Sequence, residues 1–259
     1  MKKPLFITLI VLLAAVLLVS GVQLWRYSKT ENDTKQQFDG LSSQVQRPAP
    51  SHATEPAGPD ETPLPAAAGY DWTVYDQYGA LFAENADMIG WIAIDGTAVD
   101  YPVMQSPDRP DFYLHHNFEQ QSSNSGVPYV NESCSFDPQS DNITVYGHHM
   151  KSGSMFGALD QYKIEAFWRE HPTIRFDTFA GFGTYEIIAV FKVNPADFQY
   201  NLFVNAADEA EFDAYVRRCK ELSFYDTGLT AGYGDKLLTL STCEYSQANN
   251  RLVVVAKKI

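Results

Sequence analysis

Cys243 ends the strand-like run LLTLSTC and is followed by the polar stretch EYSQANN. A thiol at the end of a strand and beside a polar loop is accessible, and its thiolate form is a strong nucleophile toward carbonyl carbon. A structural cysteine more often lies in the middle of an apolar strand. Position alone leaves the reactive and the structural interpretations of Cys243 equally open.

A nucleophilic thiol needs a base, and two histidines follow the strand-like segment ITVYG, namely His148 and His149. The chain turns at Gly147 and then presents imidazole, the usual base for a thiol. An exposed pair of loop histidines is the alternative. His115 and His116 form a second doublet that lacks the strand–glycine lead-in, so we expect it in a surface loop or in a packing role.

Arg251 opens the last strand-like run, RLVVVAKKI, eight residues after Cys243. Two strands joined by a short loop are normally antiparallel neighbours, so Arg251 is predicted to begin the strand beside the one that Cys243 ends. A permanent guanidinium cation there would stabilise the oxyanion formed when a thiolate attacks a peptide carbonyl. A plain surface arginine at a strand end is the alternative.

The other two cysteines are predicted to be structural. Cys134 lies in a serine-rich loop with no nearby base, and Cys219 falls on the apolar face of a predicted helix. Three cysteines are too few for a disulfide framework. No metal or cofactor site is expected. The histidines are not accompanied by a CxxC or HExxH motif, and no acidic cluster has the spacing of a calcium-binding loop.

The charge of the chain excludes one class of partner. The formal charge of the whole chain is −13. Residues 1–27 contain three basic residues and no acidic residue, so residues 28–259 carry a formal charge of −16. A domain that acidic is a poor binder of phosphate backbones, so nucleic-acid binding is disfavoured. Apolar residues make up 45% of the chain, which is enough for a large buried core.

The N-terminal segment is typical of a membrane anchor. Residues 5–24 carry no charge and have the length that a helix needs to cross a bilayer, and Lys2 and Lys3 precede them. We expect a cytoplasmic tail at 1–4, a single transmembrane helix at 5–24 and the rest of the chain on the extracellular face of the cell membrane. A cleaved signal peptide is the alternative.

Residues 25–69 are predicted to form an extracellular tether, because six prolines and many small polar residues occur there. A folded domain is expected over 70–259, beginning with an amphipathic helix at 71–88. Short strand-like runs separated by turn residues follow, which indicates a mainly β barrel or sandwich. A further helix is predicted at 207–221, inside the long connection before the cysteine strand.

These segments resemble the sortase family. Thr239-Leu240-Ser241-Thr242-Cys243 fits the Thr-Leu-x-Thr-Cys signature, YGHHM is similar to the family's histidine segment, and Arg251 matches the arginine of the following strand. The stretch DNITVYGHHMKSGSMFGALDQY and the two predicted helices are similar to class B sortases. The resemblance covers roughly residues 71–259 and implies an eight-stranded sortase barrel on a Gram-positive cell.

The resemblance also implies a reaction. A class B sortase is a cysteine transpeptidase that cleaves a C-terminal sorting motif after Thr through a thioacyl-enzyme and transfers the protein to an amine of the cell wall. Cys243 would be the nucleophile, His148 the acid/base, and Arg251 the group that binds the oxyanion or positions substrate. Ser241 and Glu244 are candidates for an assisting role, and the Glu244 N–H is a candidate oxyanion donor.

The implied partners are surface proteins with a sorting signal of the Asn-Pro-x-Thr or Ser/Pro-Pro-x-Thr-Gly type, together with a peptidoglycan amine. Two other enzymes remain open: a pilin-polymerising sortase that uses a lysine acceptor, and a hydrolytic cysteine protease. A catalytically silent surface adhesin on a sortase-like barrel is the alternative outside enzymes.

Overall fold

The computed structural model describes residues 3–45 and 72–259, and the chain separates into two compact units, Met1–Leu41 and Ser42–Ile259. The first unit is formed by helix α1 (Lys3–Gln44), which contains the segment predicted as an anchor. In the ranges described, no helix combines the length and the apolar character required to cross a bilayer.

The conformation predicted for the tether is wrong over its first part. Residues 25–44 belong to α1, whereas the composition predicted an extended spacer. The physical reason is that all six prolines of the tether lie at or after position 48, so residues 29–44 contain no proline that would interrupt the helix. Residues 46–69 of the predicted tether lie outside the described residues.

The second unit contains eight strands, β1 (Met88–Ala93), β2 (Asp100–Met104), β3 (Tyr129–Val130), β4 (Asn142–Tyr146), β5 (Thr173–Thr178), β6 (Thr184–Val193), β7 (Leu237–Cys243) and β8 (Arg251–Lys258). They form a closed barrel in the order β1-β2-β3-β4-β7-β8-β6-β5, which confirms the predicted eight-stranded barrel. Neighbouring strands are antiparallel except for the parallel pairs β2–β3 and β4–β7.

The helices of this unit lie in the connections and before the first strand. They are α2 (Trp72–Glu84), α3 (Glu165–Glu170) and α4 (Glu209–Leu222), with 3₁₀ helices at Phe112–Leu114, Phe156–Lys163 and Tyr200–Leu202. The sequence predicted α2 and α4. It did not predict α3 or the 3₁₀ helices, because segments of three to eight residues are too short to show a helical repeat.

Helix α4 packs against the barrel through the apolar face that the sequence predicted. Phe212, Tyr215, Val216 and Cys219 are buried at spacings of three and four residues and join a cluster with side chains of β6, β7 and β8. The side chain of Asp208 caps the helix by accepting a hydrogen bond from the Glu211 N–H at 3.0 Å. This packing fixes the long connection between β6 and β7 against the barrel.

Helix α2 is held against the barrel by one aromatic contact and one buried hydrogen bond. The Tyr78 ring stacks on Trp91 of β1 with 6.0 Å between ring centroids, and the Tyr78 hydroxyl donates to Asp177 Oδ2 at 2.6 Å. Gly90 is required beside this contact, because a Cβ there would lie 2.1 Å from the Asp177 carbonyl oxygen.

Candidate active site

Cys243 and Arg251 are directly opposite one another in the antiparallel β7–β8 pair. The strand pairing predicted from the short connecting loop is therefore confirmed. Cys243 is partly exposed, whereas the six residues of β7 that precede it are buried. The last residue of this strand thus brings a thiol to the surface of an otherwise buried element.

The parallel pairing of β4 with β7 brings His148 to the same end of the barrel. The pairing runs to Tyr146 and Ser241, and two further hydrogen bonds extend it by one residue. The Gly147 N–H donates to the Ser241 carbonyl at 3.2 Å, and the Thr242 hydroxyl donates to the Gly147 carbonyl at 2.7 Å. His148 is consequently the first residue that leaves the strand.

The hydrogen bond of His148 decides which of its ring nitrogens can exchange a proton. Nε2 lies 2.8 Å from the carbonyl oxygen of Leu114. A carbonyl oxygen only accepts hydrogen bonds, so Nε2 carries the hydrogen and donates it. In the neutral ring Nδ1 is then the nitrogen without a hydrogen, and it can act as an acceptor. The imidazole is thereby fixed in one tautomer by the backbone of a neighbouring loop.

His149 has a different environment. Its Nδ1 lies 2.8 Å from the carbonyl oxygen of Cys243, and its ring packs against that of Tyr245 with 5.2 Å between centroids. The Tyr245 hydroxyl donates to the His149 carbonyl at 3.3 Å. These contacts link the histidine segment to the backbone that carries Cys243, so His149 holds the two segments together.

The Arg251 guanidinium is anchored by the turn that precedes it. Nη1 donates to the carbonyl oxygens of Asn249 and Asn250 at 3.2 and 3.1 Å. Asn249 adopts a left-handed conformation with φ of 62°, which asparagine tolerates better than most residues. Within the part of the chain that the structure describes, no carboxylate pairs with Arg251, so its remaining N–H donors stay available for an anionic group.

Cys243, His148 and Arg251 line a single cavity of about 600 Å³. The structure therefore brings together the three residues that sequence reasoning placed in the site. Leu202 and Tyr200, from the connection between β6 and β7, form part of its wall. A second cavity of about 720 Å³ lies beside α4 and the segment that follows it, and none of the three residues lines it.

The cavity of about 600 Å³ also contains residues that sequence reasoning missed. Asp111 and Glu132 line it, and the Tyr129 hydroxyl donates to Asp111 Oδ1 at 2.6 Å. Burial raises the pKa of Tyr129, and the neighbouring carboxylates of Asp111 and Glu132 raise it further. Both acidic residues lie in long loops before β3 and β4 with no motif around them, so no local sequence signal indicates their position.

The two candidates for an assisting role have different positions. Ser241 lines the cavity but is buried, and its hydroxyl lies 2.7 Å from that of Tyr200. Glu244 is not among the residues that line the cavity. Its carboxylate accepts hydrogen bonds from Lys163 Nζ at 3.0 Å and from the Ser246 hydroxyl at 2.6 Å. Both side chains thus have hydrogen-bond partners within the protein, and their assisting role stays a prediction.

The prediction for the Glu244 N–H needs a correction. This group donates to the Asn250 carbonyl at 2.9 Å and closes the turn between β7 and β8. It is therefore not an open donor for an oxyanion. Partial burial would raise the pKa of the Glu244 carboxyl, but hydrogen bonds from Ser246 and Lys163 outweigh this effect and lower the pKa to about 2.

The remaining cysteines are buried free thiols. Burial raises the pKa of the Cys134 thiol to about 11 and that of Cys219 to about 12, so both are poor nucleophiles. His116 stacks on Phe112, while His115 is exposed with its ring 6.2 Å from that of His148. Over 3–45 and 72–259, no group of three His, Cys, Asp or Glu side chains is arranged to hold a metal ion.

Comparison with known proteins shows the family of this chain. Residues 92–259 match the family described as the sortase domain. Sortase B of Listeria monocytogenes is 32% identical over 198 residues, which cover 75% of this chain and 78% of that protein.

Solved structures show the same similarity. Sortase B from B. anthracis in complex with AAEK1 superposes with a TM-score of 0.72 at 26% identity, over 89% of this chain and 98% of that chain. The Staphylococcus aureus sortase B–substrate complex superposes with a TM-score of 0.67 at 29% identity, over 72% and 86% of the two chains. The chain belongs to the sortase family of cysteine transpeptidases, and the relatives that it matches are sortase B enzymes.

Proposed function

We propose that this transpeptidase cleaves a C-terminal sorting motif after Thr, with Cys243 as the nucleophile, His148 as the acid/base and Arg251 as the oxyanion-binding group. The observation that carries the proposal is the cavity of about 600 Å³ that all three residues line. Thiol acyl transfer uses a thiol nucleophile, an acid/base and a hydrogen-bond donor for the oxyanion, and Cys243, His148 and Arg251 can provide these three functions.

The first half-reaction forms a thioester. The Cys243 thiol gives its proton to Nδ1 of His148, and the thiolate attacks the carbonyl carbon of the Thr residue. The tetrahedral oxyanion lies against Arg251. When it collapses, the peptide C–N bond breaks, and the imidazolium returns its proton to the leaving amine. The products are the released C-terminal peptide and a thioacyl group on Cys243.

The second half-reaction transfers the acyl group. The amine acceptor attacks the thioester carbonyl, and His148 Nδ1 accepts the proton that the amine loses. Collapse of the second tetrahedral species breaks the C–S bond, forms the new amide and regenerates the thiol through proton return from His148. The Glu244 N–H is already hydrogen-bonded within its turn, so it does not bind the oxyanion. The Arg251 guanidinium stabilises the oxyanion in both steps.

The substrates of this reaction follow from the relatives. Staphylococcus aureus sortase B has been solved with a substrate, and a sortase B has been solved with triglycine. We infer that this enzyme takes surface proteins with a sorting signal of the Asn-Pro-x-Thr or Ser/Pro-Pro-x-Thr-Gly type. A glycine-type amine of peptidoglycan is the inferred acceptor, and the second half-reaction accordingly uses an amine rather than water.

The location inferred for the enzyme is the outer face of the cell membrane. The support is the uncharged run at residues 5–24 behind Lys2 and Lys3, which is typical of an anchor with its N-terminus inside. An enzyme and a substrate that are both held at one membrane meet at a raised effective concentration. Membrane fractionation followed by mass spectrometry of the N-terminus tests this. A mature N-terminus near residue 22 would contradict it.

The test of the function uses the full-length chain with fluorogenic peptides that carry each type of sorting motif, in the presence and absence of triglycine. Cys243→Ala is expected to abolish cleavage, while the matched variant Cys134→Ser retains it, because Cys134 is buried and does not line the cavity. Formation of the triglycine adduct separates transpeptidation from hydrolysis. Full cleavage activity in Cys243→Ala would rule out the nucleophile.

A further inference from the structure

The 3₁₀ helix Phe156–Lys163 is attached at its first residue to the histidine segment. The Phe156 N–H donates to the carbonyl oxygen of His148 at 2.9 Å. The Phe156 ring also packs directly over Gly147, where a Cβ would lie 2.7 Å from the ring. The position of this helix is therefore coupled to the backbone that carries the imidazole.

The last residue of the same helix is attached to the cysteine segment. Lys163 Nζ lies 3.0 Å from Glu244 Oε1, and Glu244 directly follows Cys243 in the chain. Lys163 Nζ also lies 2.6 Å from Asp160 Oδ1, one turn earlier in the helix. The lysine thus connects the helix with the residue next to the thiol.

The Lys163–Glu244 ion pair differs from the surface pairs of this protein because one partner is buried. The Glu244 side chain is 6% exposed, whereas both partners of the Arg169–Glu165 pair are exposed, at 65% and 45%. Removal of the cation from a buried carboxylate leaves an uncompensated charge, which is strongly unfavourable. An exposed pair contributes little. We therefore expect the loss of Lys163 to displace the Glu244 side chain toward solvent and to perturb the adjoining Cys243.

We propose that Lys163 is a positioning residue for the reaction: through Glu244 it sets the place of the Cys243 thiol relative to His148. The inference rests on the proposed function of Cys243 and His148. The 3₁₀ helix contacts both segments, with His148 bonded at its first residue and Glu244 at its last. The helix Phe156–Lys163, called the strut helix below, therefore connects the segment of the base with the segment of the nucleophile. Its last residue, Lys163, is held by the ion pair with Glu244.

The experiment compares Lys163→Met, Lys163→Arg and the control Arg169→Met in the full-length chain. Lys163→Met is expected to lower kcat by about 10- to 100-fold with KM unchanged, since a displacement on the order of 1 Å at reacting atoms has this effect. Lys163→Arg restores kcat because it keeps the cation. Arg169→Met leaves kcat unchanged. Wild-type kcat in Lys163→Met, or no rescue by Lys163→Arg, would overturn the proposal.

A double-mutant cycle with Glu244→Gln tests whether Lys163 acts through Glu244. If it does, Lys163→Met has no additional effect on kcat in the Glu244→Gln background. Additive losses of kcat would contradict the proposed route. If Lys163→Met does not fold, Lys163→Gln takes its place in both comparisons, because it keeps a polar side chain and removes the charge.

A second readout is independent of sorting activity. Iodoacetamide alkylates an accessible thiolate, and of the three thiols only Cys243 is partly exposed. Lys163→Met is expected to change the alkylation rate of Cys243, whereas Lys163→Arg and Arg169→Met leave it at the wild-type value. If Cys243→Ala retained peptide cleavage, the proposed function would fail. The alkylation rates of Cys243 in the Lys163 variants would still show whether Lys163 positions the thiol. An unchanged alkylation rate of Cys243 in Lys163→Met would overturn the positioning role of Lys163 and would leave the proposed function standing.

Discussion

Cys243 and Arg251 are paired residue against residue across β7 and β8, so the thiol and the guanidinium are fixed by the register of two buried strands. Residues 244–250 form the short loop that joins the two strands. A cation held in this way is preorganised for the oxyanion that develops when the thiolate attacks a carbonyl. The role proposed for Arg251 consequently depends on geometry as well as on charge.

We expect Arg251→Ala to lower kcat by about 10²- to 10³-fold, the effect of removing one oxyanion donor. Arg251→Lys is expected to recover only part of the loss, because an ammonium group keeps the charge but lacks the planar set of donors. Steady-state kinetics with a sorting-motif peptide measures both variants. Equal activity of Arg251→Ala and the wild type would show that the oxyanion is stabilised elsewhere.

The two adjacent histidines are expected to differ in their effects. His148 lines the cavity, whereas His149 is bonded to the Cys243 carbonyl. Loss of an acid/base group lowers the rate by about 10²- to 10⁴-fold, and we expect His148→Ala to fall in this range. His149→Ala should have a smaller effect, since it removes a contact and no proton carrier. The reverse order in kcat would assign the acid/base role to His149.

Gly147 is expected to tolerate no side chain. A Cβ there would lie 2.7 Å from the Phe156 ring, so Gly147→Ala overpacks the contact between β4 and the strut helix. Overpacking of this kind destabilises a protein by about 1–3 kcal/mol, and kcat should fall as well because His148 is the next residue. Gly232→Ala is the matched control, because nothing lies within 4 Å of its Cβ position. Urea unfolding measures the stability; equal stability of the two variants would contradict the packing argument.

Glu244 should make the stability of the enzyme depend on acid. Its pKa is lowered from 4.5 to about 2, so the folded state favours the ionised form. The resulting stabilisation is fully present above about pH 4.5 and is lost as the pH falls through the folded pKa near 2. Glu244→Gln should therefore lose less stability than the wild type between pH 5 and pH 2. Urea midpoints at a series of pH values check this, and parallel curves would refute it.

The sequence predicted the strands well because their apolar runs are bounded by turn residues. β7 (Leu237–Cys243) coincides with the strand-like run LLTLSTC, and β8 begins at Arg251 as predicted. The juxtaposition of Cys243 and Arg251 was also predictable, since a short loop between two strands implies antiparallel pairing.

Other parts of the site were not predictable. The strut helix is too short to show a periodic pattern, and the Lys163–Glu244 contact joins residues 81 positions apart. No local signal encodes such a pair. The Glu244 N–H was predicted to be an open donor, because a sequence does not reveal that the turn after Cys243 closes through Asn250. Asp111 and Glu132 reach the cavity from long loops for the same reason.

The most direct test of the central claim is to trap the acyl-enzyme. The full-length chain is incubated with a sorting-motif peptide without an amine acceptor, quenched in acid, digested and analysed by mass spectrometry. The account predicts a thioester of the N-terminal peptide fragment on Cys243, which triglycine discharges into a new amide. Cleavage of the peptide with no adduct on Cys243, or with the adduct on another residue, would contradict it.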